Sequence, residues 1–142
     1  MTRSSLAACG IAWGAVWAFW FVLTRDAHPT RQLAVVVTTA LVVAYAIAAF
    51  VHHRFLVPRF WARGRRLQWA GWLAATMVAL TAAALAVIRT AYTASCGPDA
   101  DPNGLYQHFA IDLFGMAVHV AAAAAVVGLW NRRAARAAEG SG

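Results

Sequence analysis

One uncharged, apolar stretch decides the fold class of this chain: residues 33–51 read LAVVVTTALVVAYAIAAFV. A helix of about 20 such residues is long enough to cross the ~30 Å hydrocarbon core of a bilayer. Three further stretches of similar character lie near residues 6–24, 67–89 and 108–130. The sequence therefore predicts an all-α integral membrane protein, a single domain over residues 1–142 that folds as an antiparallel four-helix bundle.

The composition excludes an ordinary soluble domain. The 142 residues are 62% hydrophobic and 12% charged, with a mean hydropathy of +0.60, whereas soluble domains average about 25% charged residues. The formal net charge of +7 could suit nucleic acid, but every basic residue is an arginine and most flank the apolar stretches. That placement is typical of membrane topology and lipid contact, so we predict no nucleic-acid partner.

The segment between the second and third stretches combines arginines with aromatic residues and contains no acid. We expect it to lie at the cytoplasmic surface and to contact anionic lipid head groups. The positive-inside rule then places both termini in the cytoplasm and the acidic third loop outside, in a bacterial-type inner membrane. The residues of this basic-aromatic segment are Arg54, Phe55, Arg59, Phe60, Trp61, Arg63, Arg65 and Arg66.

The first stretch carries two patterns that predict helix packing. Gly10 and Gly14 form a GxxxG motif, which predicts a close contact with another helix of this chain or of a partner. Trp13, Trp17 and Trp20 recur at helical spacing and share one face. That face serves helix packing and the membrane interface; alternatively, it is a stacking surface for a flat pigment or quinone.

The fourth stretch has the most informative polar pattern. His108, Asp112 and His119 fall on one helical face. Ionisable groups at membrane depth face the bundle interior and find partners, so we predict a buried ion pair between Arg89 and Asp112. No second histidine shares the depth of His119, which predicts an interior polar contact and no metal or haem ligation. The face is either purely structural or lines a small polar pocket that opens outward.

No catalytic constellation, nucleotide-binding loop or metal-ligand cluster occurs at recognisable spacing. We therefore predict a protein that is not an enzyme and that has no catalytic residues, no metal and no cofactor.

Residues 53–65, HRFLVPRFWARGR, resemble the inner loop of the four-span membrane module at the front of LytS-like sensor histidine kinases. Arg89 followed by Tyr92 also looks similar. The resemblance implies a four-span layout and a sensing role. In that family the fourth span leads into a kinase, whereas twelve residues follow Trp130 here. We therefore expect a free-standing or repurposed membrane module without a kinase.

Three functional hypotheses follow. The first is a non-enzymatic membrane module that senses or relays through partners, either other membrane proteins or further copies of itself. The second is a structural accessory subunit of a larger respiratory or photosynthetic complex. The third is an electron carrier that binds haem or quinone.

Overall fold

The computed structural model describes residues 3–97 and 105–139, and within these ranges it contains helices and no strand. The predicted all-α four-helix bundle is confirmed. Asp99 and Asp101, which we expect in the outer loop, lie outside the described residues. The four long helices are α1 (Arg3–Thr24), α2 (Arg31–Val51), α3 (Arg66–Cys96) and α4 (Leu105–Glu139).

Each long helix contains a stretch that is long and apolar enough to cross a membrane. Helices α3 and α4 are 31 and 35 residues long and extend past the predicted spans. At 1.5 Å per residue they are about 46 and 52 Å long, well beyond the ~30 Å of a hydrocarbon core. They continue because residues 90–96 and 131–139 contain neither proline nor glycine.

The connection between α1 and α2 is set by local chemistry. A 3₁₀ turn, Arg25–Ala27, follows α1, and His28 then adopts an extended conformation because Pro29 disfavours a helical residue before it. The hydroxyl of Thr30 accepts a hydrogen bond of 3.2 Å from the backbone N–H of Leu33. Thr30 therefore satisfies one of the free amides at the start of α2.

A π turn, His52–Leu56, extends α2, and the Val57 N–H bonds to the carbonyl of His52, five residues back. Pro58 explains this irregularity, since proline has no N–H and its ring clashes with the carbonyl four residues earlier in a regular α-helix. A 3₁₀ turn, Trp61–Arg63, and Gly64 then reverse the chain. Gly64 has a φ of 74°, a left-handed conformation that glycine adopts without strain.

Helix α2 lies at the centre of the bundle and packs against each of the other three helices. Half of the buried core cluster is alanine, and such small residues allow helices in a membrane to approach closely. Its buried members are Ala44, Tyr45, Ala48, Ala84, Met116 and Val120. The bundle has two different ends: the open end, where Thr24, Arg31, Cys96 and Leu105 lie, and the basic end, formed by residues 52–65.

Candidate functional site

A cavity of about 770 Å³ lies between the four helices toward the open end. Its walls are mostly apolar, and His108, Asp112 and His119 of α4 all line it. The polar face that the sequence predicts for the fourth span is therefore directed at one internal space. Helices α1, α2 and α3 contribute the remaining walls.

The floor of the cavity is organised by His119. The indole N–H of Trp20 donates to His119 Nε2 at 3.0 Å, and His119 Nδ1 lies 2.7 Å from the carbonyl oxygen of Gly115. An indole nitrogen can only donate, so Nε2 accepts and the ring proton sits on Nδ1, where it is donated to Gly115. Both ring nitrogens are therefore hydrogen-bonded within the bundle.

Tyr45 fixes the position of this histidine. The two rings stack with centroids 4.6 Å apart, and Tyr45 is 5% exposed. Gly115 makes the arrangement possible, because a Cβ at that position would lie 2.8 Å from the Tyr45 hydroxyl oxygen. The sequence does not predict this contact, because it depends on which helices become neighbours.

Halfway up the cavity, two polar side chains form no hydrogen bond with another described residue. The Thr38 hydroxyl is buried, lines the cavity and has no hydrogen-bond partner there. Asp112 is half-buried and interacts electrostatically with Tyr45 and His108. Thr38 and Tyr45 are seven residues apart, which is two helical turns, so their spacing was a usable signal for a polar face on α2.

The rim of the cavity joins the α1–α2 connection to α3. His28 Nδ1 and the Tyr92 hydroxyl form a hydrogen bond, and the two rings meet edge to face with centroids 6.1 Å apart. Burial lowers the pKa of His28 below its ordinary value, because a low-dielectric environment disfavours the charged imidazole. Arg89 and His108 also lie at this rim.

The buried ion pair predicted between Arg89 and Asp112 is not formed. Arg89 is exposed, and the ion pair within 4.0 Å in the described part of the chain joins Arg25 to Asp26 instead. The register of α3 and α4 explains the difference. The Thr81 hydroxyl of α3 contacts Met116 Sδ of α4 at 3.9 Å. Arg89 follows Thr81 by eight residues, and His108 precedes Met116 by eight. Because the two helices are antiparallel, Arg89 and His108 lie at the same level. Asp112 is one turn away from the level of Arg89.

The tryptophan face of α1 packs within the bundle. Trp13 lies against the core cluster, Trp17 donates to the Thr39 hydroxyl at 3.0 Å, and Trp20 reaches His119. Gly10 and Gly14 are exposed, and a Cβ at either position would meet nothing within 4 Å. An internal helix therefore does not supply the close contact predicted for this GxxxG motif, because α1 presents its tryptophans to the bundle instead.

The basic end is held by aromatic contacts beneath its arginines. His52 is buried and meets Trp69 edge to face at 5.7 Å, Trp69 meets Trp61 at 4.9 Å, and the Arg66 guanidinium lies 5.4 Å from the Trp61 ring centre. Phe60 is half-buried. The exposed members of the predicted basic-aromatic segment are Arg54, Phe55, Arg59, Trp61, Arg63, Arg65 and Arg66.

Within residues 3–97 and 105–139, no three histidine, cysteine, aspartate or glutamate side chains are grouped so that they could hold a metal ion. No protein-family model, no curated protein and no solved structure matches this chain.

Proposed function

We propose that this chain is a non-enzymatic membrane module that binds a small molecule in the open-end cavity and relays its presence through partner proteins. The observation that carries the proposal is the cavity itself. Small-molecule sites are typically concave, mostly apolar and supplied with a few convergent polar groups, with volumes of about 300–1,000 Å³. A cavity of about 770 Å³ with Thr38 and Asp112 midway along it fits that description.

A route for relay runs along α2. Its open-end half carries Thr38 and Tyr45 on the cavity wall, and its other end leads into the π turn, His52–Leu56. Irregular turns of this kind are frequent at functional sites. A ligand that favours one packing of α2 would therefore change the basic end as well.

The orientation belongs to the same proposal. We assign the basic end and both termini to the cytoplasm of a bacterial-type inner membrane, where the exposed arginines contact anionic lipid head groups. The open end then faces outward. The resemblance of residues 53–65 to the membrane module of LytS-like sensor kinases agrees with a sensing role.

The test compares how much partner protein co-purifies with a variant whose cavity is partly filled by a larger side chain and with a control variant whose cavity is unchanged. Ile111 lines the cavity, so Ile111→Trp should occupy part of it. Val126 lies on the same helix, is 62% exposed and does not line the cavity, so Val126→Trp is the matched control. Tagged proteins are purified from gently solubilised membranes and examined by native mass spectrometry. We expect Ile111→Trp alone to change the amount of retained partner, and equal retention by both variants would contradict the relay.

A structural accessory subunit is the second candidate, and the free Gly10–Gly14 face of α1 favours it. Small residues at this spacing allow close packing between membrane helices, and none of the described parts of the four helices occupies the face. Gly14→Leu should then remove a partner without changing the thermal stability of the isolated bundle. Gly71→Leu on α3, also in open space, is the control, and retention of the partner by Gly14→Leu would count against this role.

A further inference from the structure

The position of one acid inside the cavity indicates the chemistry of its ligand. Asp112 is the acidic residue among the cavity-lining side chains, and neither a hydrogen bond nor an ion pair within 4.0 Å joins it to another described residue. Its titratable neighbours are Tyr45 below and His108 one turn above. A carboxylate at membrane depth is costly unless a cationic group compensates it.

The groups around Asp112 suit an organic cation. The buried Thr38 hydroxyl is 3% exposed and lacks a partner among the described residues, so it can accept a hydrogen bond from an ammonium N–H. Trp20 and Tyr45 contribute aromatic rings to the walls. Aromatic faces attract ammonium groups, and more strongly where water is excluded.

The opposite charge lies at the rim. Arg89 lines the mouth of the cavity, one turn toward the open end from Asp112. A ligand with its positive charge at Asp112 therefore has to pass Arg89, which would repel it. The mostly apolar walls accommodate an uncharged hydrocarbon or aromatic body.

We propose that the cavity binds a lipophilic organic cation, an amine or quaternary ammonium compound with an apolar body, and that its charge rests against Asp112. The inference rests on the proposed sensing function and specifies its ligand class. Asp112 supplies the charge, Thr38 a hydrogen-bond acceptor and the aromatic rings the cation–π contacts.

The test uses isotopically labelled 4-phenylbutyltrimethylammonium with the full-length protein in phosphatidylcholine nanodiscs. Equilibrium dialysis at pH 8, where imidazoles are ordinarily neutral, measures retention above that of protein-free nanodiscs. We expect saturable retention that Asp112→Asn weakens at least about tenfold, since an interaction with a charged group is lost. Arg89→Gln should strengthen binding by removing the repulsive charge.

Two further comparisons make the result specific. Asp26 is an exposed acid at the same end of the bundle, and it does not line the cavity. The Asp26→Asn variant should therefore retain as much labelled probe as the wild type. A primary amine, 4-phenylbutylammonium, should lose about two- to tenfold in affinity on Thr38→Val, because only this probe has N–H groups to donate.

The outcomes separate the ligand class from the sensing function. If the uncharged tert-butyl isostere displaces the labelled probe as well as unlabelled probe does, the cavity binds ligands but the cation assignment is overturned. If Asp112→Asn, folded as judged by circular dichroism, retains the probe fully, the assignment is also overturned. The partner-retention comparison of Ile111→Trp with Val126→Trp uses no ligand, so it tests the sensing function independently.

Discussion

At the scale of single residues, His119 shows how a membrane interior satisfies a polar ring. Trp20 donates to one nitrogen, the Gly115 carbonyl accepts from the other, and Tyr45 covers the ring face. A buried polar group without such partners would cost about 1–3 kcal/mol. The three contacts come from α1, α2 and α4, so one side chain connects three of the four helices.

Gly115→Ala should destabilise the bundle. The added methyl would lie 2.8 Å from the Tyr45 hydroxyl oxygen, and Tyr45 is buried and stacked on His119, so it cannot move without breaking that contact. Forcing extra volume into a packed core costs about 1–3 kcal/mol. Thermal unfolding in detergent measures the loss. Gly128→Ala, which meets nothing within 4 Å, is the control, and equal melting temperatures for both variants would contradict the close approach.

Trp20 and His119 should be energetically coupled. A double-mutant cycle with Trp20→Phe and His119→Leu isolates the interaction between them, because neither replacement can form the hydrogen bond. We expect a coupling energy of about 0.5–3 kcal/mol from unfolding measurements. Additive effects would show that the 3.0 Å hydrogen bond contributes nothing to stability.

The absorption spectrum of the purified protein should lack a Soret band that depends on His119, since both ring nitrogens form hydrogen bonds within the bundle. Such a band would favour the electron-carrier hypothesis.

At the scale of helices, the register between α3 and α4 decides which charges meet. Thr81 and Met116 are both buried and in contact, which sets Arg89 level with His108. Asp112 faces the cavity one turn deeper. The hydrophobic content of these two helices predicts that they span a membrane, but it does not encode how far one is shifted along the other.

Arg89→Gln and Asp112→Asn should therefore couple more weakly in thermal stability than the partners of a direct buried ion pair. The two side chains line one cavity but are not joined within 4.0 Å, so only their longer-range attraction is lost, whereas breaking a buried pair costs about 3–5 kcal/mol. The single and double variants are unfolded in the same detergent without added ligand. A coupling energy of about 3 kcal/mol or more would indicate a direct ion pair.

The sequence predicts those parts of the fold that depend on local composition. The four spans, their antiparallel order and the shared face of His108, Asp112 and His119 follow from hydrophobic runs and helical periodicity. The close approach of Tyr45 to Gly115 and the free surface at Gly14 do not, because each depends on which helices become neighbours. An apolar helix has several faces of similar hydropathy, so its sequence alone does not select one for packing.

At the scale of the whole molecule, the two ends differ in chemistry. The open end surrounds a cavity. The basic end carries exposed arginines next to the ring contacts of His52, Trp61 and Trp69. A bundle with such different ends has an intrinsic direction in a membrane. Positively charged segments are retained on the cytoplasmic side during insertion.

Reporter fusions should reveal that direction. A periplasmic reporter, active only outside the cytoplasm, should be inactive when fused at Gly142 and active when inserted within residues 98–103. The four arginines between α2 and α3, together with Arg66 at the start of α3, motivate this result. Activity at Gly142 would reverse the assigned orientation, and a cytoplasmic reporter at the same two positions is the complementary control.

The π turn sets the rotational phase of the basic end. In a π turn the hydrogen bond joins residues five apart, one more than in an α-helix. Each residue of an α-helix turns the chain by about 100° about the axis, so one extra residue rotates everything that follows it. The direction in which Arg54 and Arg59 point thus depends on a single additional residue. Deletion of His53 together with Pro58→Ala should restore an uninterrupted helix and swing both arginines around its axis. Cysteine-accessibility labelling along residues 54–60 would detect the rotated pattern, and an unchanged pattern would mean that the loop beyond Pro58 fixes the direction by itself.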